Sequence, residues 1–143
     1  MKKKIKIGVL GGSRGSVVIS YAKRCDDVEV VALCDRSVEV LRAQRAKFSQ
    51  LGITFYDSFE EFICHDMDAV FLANYATEHA PYALRALERG MHVFSEVLPV
   101  QTMAEAVALV EAVEKSKRYV TQQILIKGEL LEGESVARID PEQ

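Results

Sequence analysis

A chain of 143 residues, 49% hydrophobic and with a formal charge of −3, has the size of one globular domain and no basic excess to offer nucleic acid. Lys2-Lys3-Lys4 reads as a short solvated terminus, and the few apolar residues after it run into glycines and Arg14, unlike a signal peptide. No apolar run approaches the about 18 residues of a membrane span, so a cytoplasmic chain that binds neither membrane nor nucleic acid is expected. Cys25, Cys34 and Cys64 are odd in number, widely spaced and free of any C-x-x-C, which predicts reduced thiols and no metal site.

In chain order, Lys4–Leu10 reads as a buried strand. Val18, Tyr21, Ala22 and Cys25 then recur at helical spacing. Val28–Cys34, rich in β-branched residues, is a second strand. Ser37 can cap a helix over 38–50 that Gly52 stops, and Ile53–Tyr56 is a short third strand. Ser58-Phe59-Glu60-Glu61 has the form of a capping box. Ala69–Ala73 is a fourth strand, followed by a helix capped by Thr77, with inner face Ala80, Ala83, Leu84 and Leu87, and ended by Gly90. His92–Ser95 is a fifth strand. Thr102-Met103-Ala104-Glu105 is a second capping box, opening a helix that buries Ala106, Leu109, Val110 and Val113, and Tyr119–Gln122 begins a sixth strand.

Strands alternating with helices across short loops pair in parallel through right-handed crossovers. Near-continuous apolar strands require helices on both faces of the sheet. The predicted fold is α/β: a three-layer, doubly wound Rossmann sheet in the order 3-2-1-4-5-6, with its crevice where strand order reverses, between strands 1 and 4. Residues 1–120 form the dinucleotide-binding domain, and 121–143 a polar tail. Ile124–Ile126 and Val136–Ile139 in that tail read either as a hairpin or as part of a partly disordered end.

The chemistry gathers at the carboxyl ends of these strands. Gly11-Gly12-Ser13-Arg14-Gly15 follows the first strand, and Asp35 ends the second. Glycines admit a pyrophosphate to the backbone at a helix N-terminus, and a carboxylate about 20 residues on can accept hydrogen bonds from the adenosine ribose. The glycine spacing departs from G-x-G-x-x-G in either alignment, with Gly11 as the first glycine or with Gly12 and Gly15 as second and third. A merely tight turn is the alternative. Ser13 can donate to phosphate and Arg14 adds charge. Asp35 favours NAD, while Arg36 beside it can accommodate the 2′-phosphate of NADP; capping the next helix is the plainer role for Asp35. Ala73, Asn74, Tyr75 and His79 follow the fourth strand and face the crevice, where His79 is either a contact or an ordinary helix residue. Glu96, closing the fifth strand, either reaches the nicotinamide ribose or caps local backbone. His65 and His92 read as structural.

From Lys4 to Tyr119 the chain resembles the N-terminal half of the glucose-fructose oxidoreductase and inositol dehydrogenase family, Gfo/Idh/MocA. The resemblance rests on Ile7 to Gly15, Ala32 to Asp35, Asp68 to Asn74, His79, Ala86 to Val93, and Ser95-Glu96-Val97. It implies NAD or NADP as cofactor and a sugar, inositol or related hydroxyl carbon as substrate. It implies Gly11 to Gly15 on the pyrophosphate, Asp35 on the adenosine ribose, Asn74 and His79 on the nicotinamide side, and Glu96 as the Glu of the family's E-K-P motif. Two departures stand out. Val97 occupies the place of the motif's lysine, and the second α/β domain that usually supplies the substrate pocket and the proton-transfer groups is missing from this stretch of sequence. The expectations are therefore an oxidoreductase truncated or completed by another chain, a non-catalytic nucleotide-binding module, or a remnant. His79 is the weak candidate for a catalytic group. An uncovered sheet edge further predicts a homodimer.

Overall fold

The computed structural model describes residues 3–116. Its elements are β1 (Ile5–Leu10), α1 (Gly12–Ala22), β2 (Val28–Cys34), α2 (Val38–Lys47), β3 (Thr54–Tyr56), α3 (Phe59–Phe62), β4 (Ala69–Leu72), a 3-10 turn (Ala76–Glu78), α4 (His79–Glu88), β5 (His92–Ser95) and α5 (Met103–Lys115). The strands form one parallel sheet in the order β3-β2-β1-β4-β5, as expected for a doubly wound fold. The sixth strand, expected at Tyr119–Gln122, and the tail 121–143 lie outside the described residues.

Alternation along the strands builds two cores. Val9, Val30 and Leu33 join Ile19, Leu41, Phe48 and Ile53 under α1 and α2. Leu10, Ala32, Cys34, Val70 and Leu72 join Phe62, Ile63, Met67, Ala83 and Ala86 under α3 and α4. Because neighbours such as Val9 and Leu10 point to opposite faces and both are buried, the central strands read as continuous apolar runs at their carboxyl ends.

Several local readings shift. The buried face of α1 is Gly12, Gly15 and Ile19, and Tyr21 is 64% exposed. Cys25 lies beyond the helix end. Helix α2 ends at Lys47, before Gly52. Ser37 does cap it, accepting from Val40 N at 3.3 Å. Ser58 makes no side-chain cap, so that box does not form. Thr77 lies inside the 3-10 turn, and Glu78 takes the cap position of α4. Gly90, with φ of +74°, ends α4 as expected. The Thr102 capping box is complete: Thr102 Oγ1 accepts from Glu105 N, and the Glu105 carboxylate accepts from Thr102 N. On α5, Ala106, Leu109 and Val113 are half-buried, but Val110 is 58% exposed.

Candidate functional site

Order reverses between β1 and β4, so the loops after β1 and β4 diverge and leave a cleft at the carboxyl ends of the strands. Its volume is about 620 Å³, within the about 300–1,000 Å³ typical of ligand pockets. Leu10, Gly11, Ser13, Arg14, Cys34, Asp35, Arg36, Ala73, Asn74, Asp57, Tyr75 and Glu78 are among its walls. Two grooves of comparable size are also present, one near 570 Å³ along α2 that shares Asp57 with the cleft and one near 650 Å³ between α4 and α5.

The glycine turn forms the floor. Gly11 N donates to Cys34 O and Ala73 N to Leu10 O, each at 2.8 Å, so the ends of β1, β2 and β4 are tied together. Gly11 has φ of +97°, which side chains with a Cβ rarely adopt. A Cβ there would also sit 2.5 Å from the Ala73 carbonyl. A Cβ on Gly15 would collide with Val9 Cγ1, so Gly15 is what lets α1 lie close on β1. In this structure Gly15 plays the helix-packing role of the fingerprint's third glycine, and the tight turn falls on Gly11.

Asp35 is fixed by two loops at once. Its Oδ2 accepts from Gly12 N at 2.7 Å, and its Oδ1 accepts from Ser37 N at 2.8 Å. Both readings of this residue are therefore realised: it holds local backbone, and it lines the cleft. An ionised carboxylate has about four acceptor sites, so each oxygen keeps capacity toward a ligand. Below it, burial first, and then the negative charges of Asp35 and Asp57, push the Cys34 thiol up to about 12.

Arg36 reaches across to the β4–α4 connection, where its Nη2 donates to Glu78 Oε1 and Oε2 at 3.1 and 3.0 Å. Its guanidinium also lies 5.8 Å from the Tyr75 ring centre. At the other end, Arg14 Nη1 stands 3.9 Å from Glu96 Oε1. Glu96 is thus brought to the cleft's end through Arg14 and is not part of the walls themselves. Ser13 and Arg14 are exposed on the first turn of α1.

Asn74 and His79 divide their expected role. Asn74 lines the cleft, and its buried Nδ2 and Oδ1 have no hydrogen-bond partner among the described residues. His79 is fully buried and forms no part of the wall. Its Nε2 lies 3.2 Å from the Asn74 carbonyl oxygen, and its Nδ1 lies 2.7 Å from Ser95 Oγ, which donates to Val97 O at 2.7 Å. His79 therefore ties the ends of β4 and β5 together and sets the Asn74 backbone. The expectation that its ring faces the crevice is corrected, because the first turn of α4 points inward under β5. His65 pairs with Tyr56 Oη at 2.8 Å, a structural contact as read.

Sequence reasoning missed Asp57, Tyr75 as an aromatic support and Glu78. Asp57 follows β3 directly, and the strand-end rule that marked Asp35 would have found it. Glu78 carries no such signal.

A dinucleotide fits this arrangement on two observations of the structure. Gly11, pressed against the Ala73 backbone at a φ of +97°, presents bare backbone in the cleft wall at the start of α1, and Asn74 presents an orphaned buried amide, which native structures seldom leave without a ligand or water partner. Comparison with known proteins points the same way. Residues 5–123 match the model of an oxidoreductase family described as having an NAD-binding Rossmann fold. An alpha-N-acetylgalactosaminidase of Bacteroides fragilis is 30% identical over 124 residues, 80% of this chain and 29% of that protein. The WlbA dehydrogenase of Bordetella pertussis, solved with NADH and UDP-GlcNAcA, superposes with a TM-score of 0.72 at 26% identity, covering 80% of this chain and 35% of its own. The myo-inositol dehydrogenase of Lactobacillus casei, solved with NAD(H) and myo-inositol, gives 0.73 at 25% identity, covering 80% and 34%. This chain thus spans about a third of the length of the proteins it matches. The chain belongs to the Gfo/Idh/MocA oxidoreductase family, and the sheet and cleft described above are that family's NAD-binding Rossmann fold.

Proposed function

We propose that this chain binds NAD in preference to NADP in the cleft between β1 and β4, as the cofactor module of an oxidoreductase acting on a hydroxyl carbon of a sugar or polyol. The observation that carries the reading is Asp35, held by Gly12 N and Ser37 N while still facing the cleft. In this reading Asp35 accepts hydrogen bonds from the adenosine ribose hydroxyls, and its charge repels a 2′-phosphate. Gly11 and Ser13, with the Arg14 guanidinium, face the diphosphate at the start of α1, while Gly12 and Gly15 support that turn, Gly12 by holding Asp35 and Gly15 by letting α1 lie on β1. Ala73 and Asn74 form the wall toward the nicotinamide, with Asn74 offering its free amide and Glu96 held nearby by Arg14. Bound there, the dinucleotide supplies a hydride acceptor. The substrate class rests on the relatives, a myo-inositol dehydrogenase and a dehydrogenase solved with UDP-GlcNAcA.

Calorimetric titration with NAD and NADP tests this. Saturable NAD binding in the micromolar range, with weaker NADP binding, is expected. An absence of heat with both overturns the reading.

A second reading, a nucleotide-binding module without catalysis, is favoured by one observation: among the described residues the cleft walls carry no histidine or lysine to move a proton. A panel of sugars and polyols separates the two, since NADH production with any of them removes the second reading. A homodimer is part of the proposal too, motivated by the apolar side chains of Phe94, Leu98 and Met103, which are 63%, 74% and 80% exposed. Light scattering that gives a monomer at high concentration contradicts it. The cytoplasmic setting proposed for the chain fits its three free cysteines.

A further inference from the structure

Arg36 leaves cofactor preference open on sequence grounds, because an arginine beside the strand-end acid is a group that can take up a 2′-phosphate. The structure shows where that arginine is spent. Its Nη2 is shared by both oxygens of Glu78, and its guanidinium lies against the Tyr75 ring. Glu78 and Tyr75 both belong to the β4–α4 connection, so the guanidinium is drawn off the β2 side and held at the opposite wall.

The charges around it point the same way. The walls carry three carboxylates, Asp35, Asp57 and Glu78, against two guanidinium groups, Arg14 and Arg36. Each of those arginines already faces a glutamate, Arg36 facing Glu78 and Arg14 facing Glu96. Asp35 and Asp57 stand close enough together that both bear on the Cys34 thiol. A phosphate dianion brought beside Asp35 would meet these acids with the nearest cation already neutralised.

We infer that Glu78 is a specificity-determining residue: by holding Arg36 against Tyr75 it denies a 2′-phosphate its guanidinium, and so selects NAD over NADP. This rests on the dinucleotide reading of the cleft and adds to it a residue from the far wall. The Glu78 side chain makes no helix-cap hydrogen bond, although its backbone holds the cap position of α4. It is a partly exposed side chain in a 3-10 turn, and an ion pair so exposed contributes little to stability. Glu78→Gln keeps the shape and removes the charge.

The test is titration of the full chain with NAD and NADP, on wild type, Glu78→Gln and the double variant Arg36→Ala/Glu78→Gln. In Glu78→Gln the ratio of NADP to NAD affinity is expected to rise about tenfold, the size of one added charge-assisted phosphate contact. In the double variant the ratio is expected to return to the wild-type value or below. A ratio unchanged in Glu78→Gln, or a rise that survives removal of Arg36, overturns the inference while leaving NAD binding by the wild type intact. A wild type that binds neither dinucleotide overturns the cofactor reading, and the inference with it.

Discussion

The two ends of the cleft are built differently. On the β2 side, charged groups are locked by partners: Asp35 by Gly12 N and Ser37 N, Arg36 by Glu78. On the β5 side, the buried His79 network locks only backbone, at Asn74 and Val97, and the functional groups are left loose. The Asn74 amide has no partner among the described residues, and the Arg14–Glu96 pair is long and half in solvent. A preorganised site loses less entropy when a ligand arrives. In the proposed reading, the β2 side recognises the nucleotide and the β5 side is ordered by what binds there.

The contrast can be broken first at the floor both ends share. Gly11→Ala puts a Cβ against the Ala73 carbonyl at a φ of +97°. We expect a loss on the order of 3–4 kcal/mol in urea unfolding, and a cleft too narrow for NAD. An alanine variant of wild-type stability contradicts this reading of the turn. His79→Ala should come next, costing about 3 kcal/mol from the cavity and the lost contacts to Asn74 and Ser95. Because His79 makes no part of the wall, residual folded protein should still bind NAD; loss of binding without loss of stability would return the ring to the cleft.

Asp35→Ala sharpens the comparison on the other side. It leaves Gly12 N and Ser37 N without acceptors, for about 1–2 kcal/mol of stability, and should weaken NAD binding at least tenfold. Equal NAD affinity in both proteins would contradict the role given to this carboxylate. Thr102→Ala, outside the cleft walls, should cost about 1 kcal/mol and leave cofactor binding unchanged, which separates stability effects from site effects. The smallest effect is at Glu105, whose carboxyl is held below the usual glutamate range by the backbone N–H groups of Gln101 and then Thr102. Its lowered value means that the charged form supports the fold. That support is present above the unfolded-state value and is lost as pH falls through the folded one, so Glu105→Gln should flatten the acid side of the stability curve. An unchanged acid limb refutes it.

The strands, their order and the position of Asp35 were legible because each depends on local spacing: apolar runs, strand-end acids, short connections. The inner face of α1 was legible only in part: Val18 and Ala22 do pack against the core, but Tyr21 is exposed and Cys25 lies past the helix end. That face also packs through Gly12 and Gly15, which an apolar period ignores, so the eye settles on Tyr21 and Cys25 instead. Thr77 misled for a related reason, since a 3-10 turn precedes α4 and moves its start to His79. On α5 the period was one residue out at Val110, because Ala106, Leu109 and Val113 carry the stripe. Glu78 was illegible in principle. An acid near a helix start is ordinary in sequence, and only the approach of two loops sets it beside Arg36.

The central claim is that NAD sits on the Gly11 turn between Asp35 and Asn74, and NMR titration of the ¹⁵N-labelled chain with NAD tests it most directly. The account predicts that the backbone amides of Gly12, Ser13 and Gly15 and the side-chain amide of Asn74 shift together in a saturable way. Saturable shifts confined to other surfaces, such as the groove between α4 and α5, or no shifts at all, would contradict it.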